Sequence, residues 1–294
     1  MRLRGAVPHG AAVSLVRNKD FSMDAPRHSL PPELPPINTT ASAPRLPSIA
    51  QAMGMIVLYF VLQLSFGVAM SLLLGFAYGI THHGATPGDV QAALADTNFK
   101  CVLVVLILLG SAAVTLWLVH RLWPQLWSQA RPPGFGFAAP PTVAWCVIAV
   151  AAGLVTPLVG SKLTELLAHG HAVPQDVKEL GGEAGLLFRG ALTLAVISIG
   201  PIVEELLFRG ALLSALLRRL RTVWAVPASA VLFALVHLPD LHWLWYAVPN
   251  LALLGAVLAW LRLRSGSLWP SVIAHGCNNL LAMAALFASL HHPV

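Results

Sequence analysis

The sequence predicts an all-α, polytopic membrane helix bundle of about seven transmembrane helices around a polar intramembrane cavity. Three observations carry that expectation. Hydrophobic residues make up 57% of the 294-residue chain and charged residues only 10%, where a soluble domain carries roughly 25% charged. Apolar stretches of spanning length follow one another too closely to leave room for a soluble domain. A few ionisable residues are nevertheless kept inside the later stretches, where ionised side chains are costly.

Residues 1–48 are polar, basic and proline-rich (LPPELPPINTTASAPRLP) and read as a flexible cytoplasmic tail, with Met23 an alternative start. The GAAVSLV stretch near the start is short and follows a proline, which makes it a poor signal-peptide core. Residues 49–184 hold the first three spans and their loops, near 51–79, 101–120 and 143–164. Residues 185–290 hold the other four, near 187–217, 222–238, 243–263 and 268–290. The fourth is longer than a bilayer needs, so it tilts or begins as a surface helix. The fifth is short and stops at LPD, where Pro239 argues against continuation. The heptapeptide LLFRGAL occurs at 186–192 and at 206–212, but the flanks do not match and only the second copy follows two glutamates. It reads as coincidence in a Leu/Ala/Gly-rich chain.

Counting Lys and Arg gives the topology. With the N-terminus inside, 13 of the 18 basic residues fall on the cytoplasmic side, at the tail and around 121–131, 218–221 and 262–264. The positive-inside rule then favours a cytoplasmic N-terminus and an external C-terminus. The net charge of +6 belongs to these span ends, so no nucleic-acid partner is expected. Cys101, Cys146 and Cys277 all lie in apolar stretches and read as small packing residues, not as a disulfide framework or a metal site.

Of the twelve acidic residues only Glu204 and Glu205 lie deep in a span, and of the twelve histidines only His237 and His275. Glu204 is 13 residues before Leu217, which is about 20 Å of helix. His237 is 15 residues beyond Thr222, again about 20 Å, and His275 is 11 beyond Arg264, about 16 Å. The three reach a similar level and could line one cavity. Glu205 and Arg209 are spaced i, i+4, as a neutralising helix-face ion pair requires. Glu204 points about 100° away from Glu205. His275 and Asn279 share a face at i, i+4, as do Phe233 and His237. The expected arrangement is therefore one structural pair, Glu205–Arg209, beside a polar set of Glu204, His237, His275 and Asn279. Asn279 could instead cross-link helices, with Asn278 a competitor for its role, and Phe233 suits a cavity wall.

These stretches resemble a known family. EELLFR (Glu204, Glu205, Arg209) is similar to its EExxxR motif, FALVH (Phe233, His237) to its FxxxH, and HGCNN (His275, Asn279) to its HxxxN. The family is that of the CAAX protease and bacteriocin-processing (CPBP, or Abi) intramembrane proteases, and RSGSLWPSVIAHGCNNLL resembles the lead into its third motif. The resemblance covers roughly residues 185–290. It implies a helical bundle with a polar cavity open towards the cytosol. Glu204 and His237 would activate a water there, and His275 and Asn279 would stabilise the oxyanion. Chemistry permits these roles, because a buried carboxylate makes a better base near neutrality and N–H donors can meet a developing oxyanion.

A cofactor is left open, zinc or none. Glu204, His237 and His275 could make a three-ligand zinc site with one open position. The chain lacks the helical H-E-x-x-H zinc motif, and the expectation leans to water activation without an obligatory metal. The expected partners are the lipid bilayer and a peptide or protein substrate. A proton-coupled transporter would need polar residues through the whole bilayer, and the outer halves of these spans show almost none. A non-catalytic scaffold or bacteriocin self-immunity protein would not need four intact site residues. No Asp within a span offers an aspartyl pair, and no Gly-x-Ser stretch faces a His at matching depth. A bias of 14 Arg over 4 Lys, with abundant Ala, Gly and Pro, points to a GC-rich bacterium and so to its inner membrane.

Overall fold

The computed structural model describes residues 45–169 and 184–291, and among them every regular element is helical. Ser48 opens α1 (Ile49–Thr81) with a capping box shared with Gln51, which satisfies amide groups that a helix start leaves open. Thr86 and Asp89 do the same for the short α2 (Pro87–Ala95), an element the sequence reading does not include. There follow α3 (Thr97–Leu122), α4 (Ala144–Ala168), α5 (Leu186–Leu217), α6 (Thr222–Leu235), α7 (Val248–Ser265) and α8 (Trp269–His291). The expected tail falls, up to residue 44, outside the described residues, as does the stretch 170–183.

Among the described residues six helices are long and apolar enough to cross a membrane: α1, α3, α4, α5, α7 and α8. They overlie six of the seven expected spans. The fifth is shorter than its expected range of 222–238. Its helix α6 has 14 residues, about 21 Å, and ends at Leu235. The chain then turns through 236–247 in short bends and single helical turns. Pro239 accounts for the stop, since it has no N–H to give and disfavours helix in the residue before it. His237 therefore sits in this turn and not in a span. The over-long fourth span is one continuous stretch, but residues Leu206–Leu212 are wound as a π-helix.

Several ends gather on one side of the bundle. Arg218, just past α5, donates to the Pro47 carbonyl ahead of α1, and Gln125, just past α3, donates to the Arg45 carbonyl. The segment after α3 is tied to the α7–α8 turn by Leu268 N–H to Gly136 O, Ser267 Oγ to Ala138 O and Trp269 Nε1 to Phe137 O. Arg262 is fully buried beneath this segment and donates to Gly134 O. Gly136 has φ +85°, and a Cβ there would stand 2.6 Å from the Arg262 guanidinium carbon, so a side chain fits neither the backbone nor the space. Large apolar residues such as Leu64, Leu72, Phe76 and Leu158 point outward. Such a surface suits lipid and would be an aggregation hazard in water.

Candidate active site

The site begins at the π-helical segment of α5. Its seven residues are all buried, and the Leu213 N–H that follows reaches back five residues to Phe208 O. Such a bulge often marks functional sites in helices. Glu205 and Arg209 are both fully buried, and Arg209 Nη1 donates to Glu205 Oε1 at 2.7 Å. Arg209 Nη2 donates to Gly255 O on α7 at 3.2 Å. Its guanidinium carbon also lies 4.3 Å from the centroid of the Phe233 ring, a cation–π contact that compensates part of its desolvation. The expected ion pair is therefore present.

Glu205 has a second partner that the expected arrangement does not include. His275 Nδ1 lies 3.0 Å from the same oxygen, Glu205 Oε1. Because Glu205 faces both Arg209 and His275, it belongs to the polar set and is not a separate structural pair.

Glu204 stands where both imidazoles converge. Its Oε2 is 3.7 Å from His237 Nε2 and 3.8 Å from His275 Nε2, and it is buried with no hydrogen bond of its own. His237 comes from the turn after α6, and its Nδ1 lies 2.7 Å from Phe233 O. A carbonyl only accepts, so Nδ1 carries the proton. The His275 Nδ1, facing a carboxylate oxygen, carries one as well. Neutral rings would thus aim both Nε2 lone pairs at the Glu204 oxygen. Three acceptors converge on one point, and a proton or a polar guest has to lie among them.

Phe233 packs its ring against both imidazoles. Its ring centroid lies 4.8 Å from that of His237, 5.6 Å from that of His275 and 5.2 Å from that of Phe208. These apolar rings lower the local dielectric and so strengthen each electrostatic contact beside them.

Asn279 is placed differently from the three ionisable groups. Its Nδ2 donates to Val196 O on α5 at 3.0 Å, and Asn278 Nδ2 lies 3.2 Å from its Oδ1. Val196 lies eight residues before Glu204, about 12 Å along the helix. The amide therefore pins α8 to α5, and only its second N–H is left for any other acceptor. The two helices meet closely beside it: a Cβ on Gly276 would stand 2.5 Å from Ile197 O. That approach brings His275 to the Glu204–Glu205 edge of α5.

The donors Glu204, His237 and His275 have the chemistry zinc favours, and each ring has the Nδ1 acceptor that ligating histidines use. Their spacing does not match it as arranged. Among the described residues no group of three or more His, Cys, Asp or Glu side chains is set to hold a metal ion.

No curated protein and no solved structure matches the chain. A family model described as type II CAAX prenyl endopeptidase, Rce1-like, matches residues 186–281. That is 96 of the 294 residues, spanning α5 to most of α8 and the motif residues from Glu204 to Asn279. The match supports a protease that resides in the membrane. Residues 186–281 are thus similar to the Rce1-like family, and the resemblance to the CPBP proteases carried by the three motifs is borne out over that segment.

Proposed function

We propose that this protein is an intramembrane endopeptidase that hydrolyses a membrane-associated peptide or protein, with Glu204 as the base. The observation that carries the reading is the convergence of two imidazole Nε2 atoms on one buried oxygen of Glu204, at 3.7 and 3.8 Å. In this reading Glu204 Oε2, helped by His237 Nε2, accepts a proton from water while the water oxygen attacks the scissile carbonyl carbon. The carbonyl π electrons move to oxygen, and His275 Nε2–H with the second N–H of Asn279 donates to that oxyanion. An Nε2–H on His275 requires the doubly protonated ring, and Glu205 supplies its counter-charge through Nδ1. When the oxyanion collapses the C–N bond breaks, and the proton held at Glu204 passes to the leaving amine. Two carboxylates, one guanidinium and one imidazolium would leave the buried set without net charge, which lowers the cost of burying it.

The proposed setting is the inner membrane of a bacterium, with the basic span ends facing the cytoplasm. The grouping of 13 of 18 basic residues favours it. The test is cleavage of a quenched peptide library by the reconstituted protein, including peptides with a CaaX end. Wild type is expected to cleave, and His237→Gln and His275→Gln to lose about 10²- to 10³-fold in kcat with KM little changed. Equal kcat in all three would contradict the assigned roles.

A further inference from the structure

Tyr59 lies in α1, outside the segment the family model matches, and its side chain is fully buried. Tyr59 is ten residues beyond Ile49, about 15 Å along α1. The start of α1 is held beside the end of α5 by the Arg218–Pro47 hydrogen bond. Glu204 is 13 residues before that end, about 20 Å. The two side chains therefore sit at comparable depth from the same side, and α1 packs on the π-helical segment that follows Glu205. The Tyr59 ring meets Phe60 edge-on at 5.5 Å between centroids, and Phe60 meets the His237 ring at 6.4 Å. The phenol is within electrostatic reach of Glu204.

Its hydroxyl is buried and reaches no partner at full hydrogen-bond geometry. Ser111 of α3 lies beside it and commits its own proton to Ile107 O at 2.7 Å, so the Ser111 oxygen is at most a weak acceptor for one side of the phenol and gives it no donor. Glu204 Oε2 is buried and unbonded as well. A buried hydroxyl without a partner costs about 1–3 kcal/mol, and native proteins rarely keep one without a reason. Tyr59 could pack equally well as Phe if only its ring mattered. Here a hydroxyl that both donates and accepts lies at the depth of a carboxylate that only accepts.

We infer that Tyr59 is a further residue of the reaction, holding the hydrolytic water against Glu204 through its hydroxyl. This rests on the reading of Glu204 as the base. The water gives one proton to Glu204 and directs the other to the Tyr59 oxygen as a hydrogen bond, which leaves its lone pairs for the carbonyl carbon. Tyr59 neither gains nor loses a proton in the step. The first span thus completes a site whose other members all lie in α5 to α8.

The test compares Tyr59→Phe with wild type and Glu204→Gln in liposomes, with the same quenched peptide library and thermal unfolding of each variant. Tyr59→Phe should melt with wild type, lose about 10- to 100-fold in kcat and keep KM within about twofold. Combining it with Glu204→Gln should cost nothing beyond Glu204→Gln alone. If Tyr59→Phe keeps wild-type kcat while Glu204→Gln is dead, the Tyr59 inference is wrong and the base assignment stands. If Glu204→Gln cleaves like wild type, the base assignment fails and the inference with it. Infrared spectroscopy adds a readout that needs no substrate. The Glu204 carboxyl band, assigned by its loss in Glu204→Gln, should move in Tyr59→Phe, and an unmoved band contradicts the shared water.

Discussion

Glu205 has one neighbour that sequence spacing reveals and one that it hides. The i, i+4 relation to Arg209 follows from helix geometry alone. The contact with His275 depends on how α8 leans on α5, and no local pattern encodes it. The same division runs through the site. Glu204, His237 and His275 could be placed at one depth by counting residues, because rise per residue is fixed. The bond from Asn279 to Val196 could not, because the partner is a backbone carbonyl 83 residues away. Tyr59 gave no signal, being one aromatic residue among several in an apolar run. Two predictions belong at this scale. Arg209→Met leaves the Glu205 carboxylate buried without its guanidinium partner, and should destabilise the protein by about 3–5 kcal/mol in thermal or denaturant unfolding. Glu204→Gln keeps volume and shape, so it should unfold with wild type while cleavage is lost. An Arg209→Met protein as stable as wild type would show that the pair adds nothing to the fold.

At the scale of elements, glycines set how closely the site helices approach. Gly276 lets α8 touch α5 one residue after His275, and Gly255 lets α7 touch α6, where a Cβ would stand 2.9 Å from the Ala230 Cα. Gly276→Val should push α8 away from Ile197, cost about 1–3 kcal/mol of stability, and lower kcat by separating His275 from Glu204. An unchanged kcat would mean that this helix contact does not position the site. The boundaries of five of the six long helices were legible to within about four residues, because apolar runs ending in basic or proline-bearing turns mark them. The fifth expected span was legible only in its start. A run of apolar residues to 238 reads as helix, but the backbone bends after Leu235 and places His237 in a turn. The π-helical winding of α5 was not legible either, since its residues are ordinary helix formers and tertiary contacts hold the extra residue per turn.

For the whole molecule, the common side of the ends of α1, α3, α5 and α7 is the side where the basic residues collect. Membrane-impermeant labelling of single cysteines should modify Ser128→Cys only from the cytoplasm and His83→Cys only from outside. The reverse pattern would invert the proposed orientation without disturbing the helix packing. The polar set lies among spans whose outer surfaces are apolar, so a peptide has to leave water or lipid to reach it, and a carboxylate there is costly unless the chemistry uses it. The most direct measurement is therefore peptide-library cleavage by purified wild type and Glu204→Gln in liposomes, each with and without a strong chelator. Cleavage by wild type that persists with chelator and vanishes in Glu204→Gln is the predicted result. Cleavage by Glu204→Gln at the wild-type rate would contradict it, and cleavage by wild type that vanishes with chelator would move the chemistry from the carboxylate alone to a bound metal.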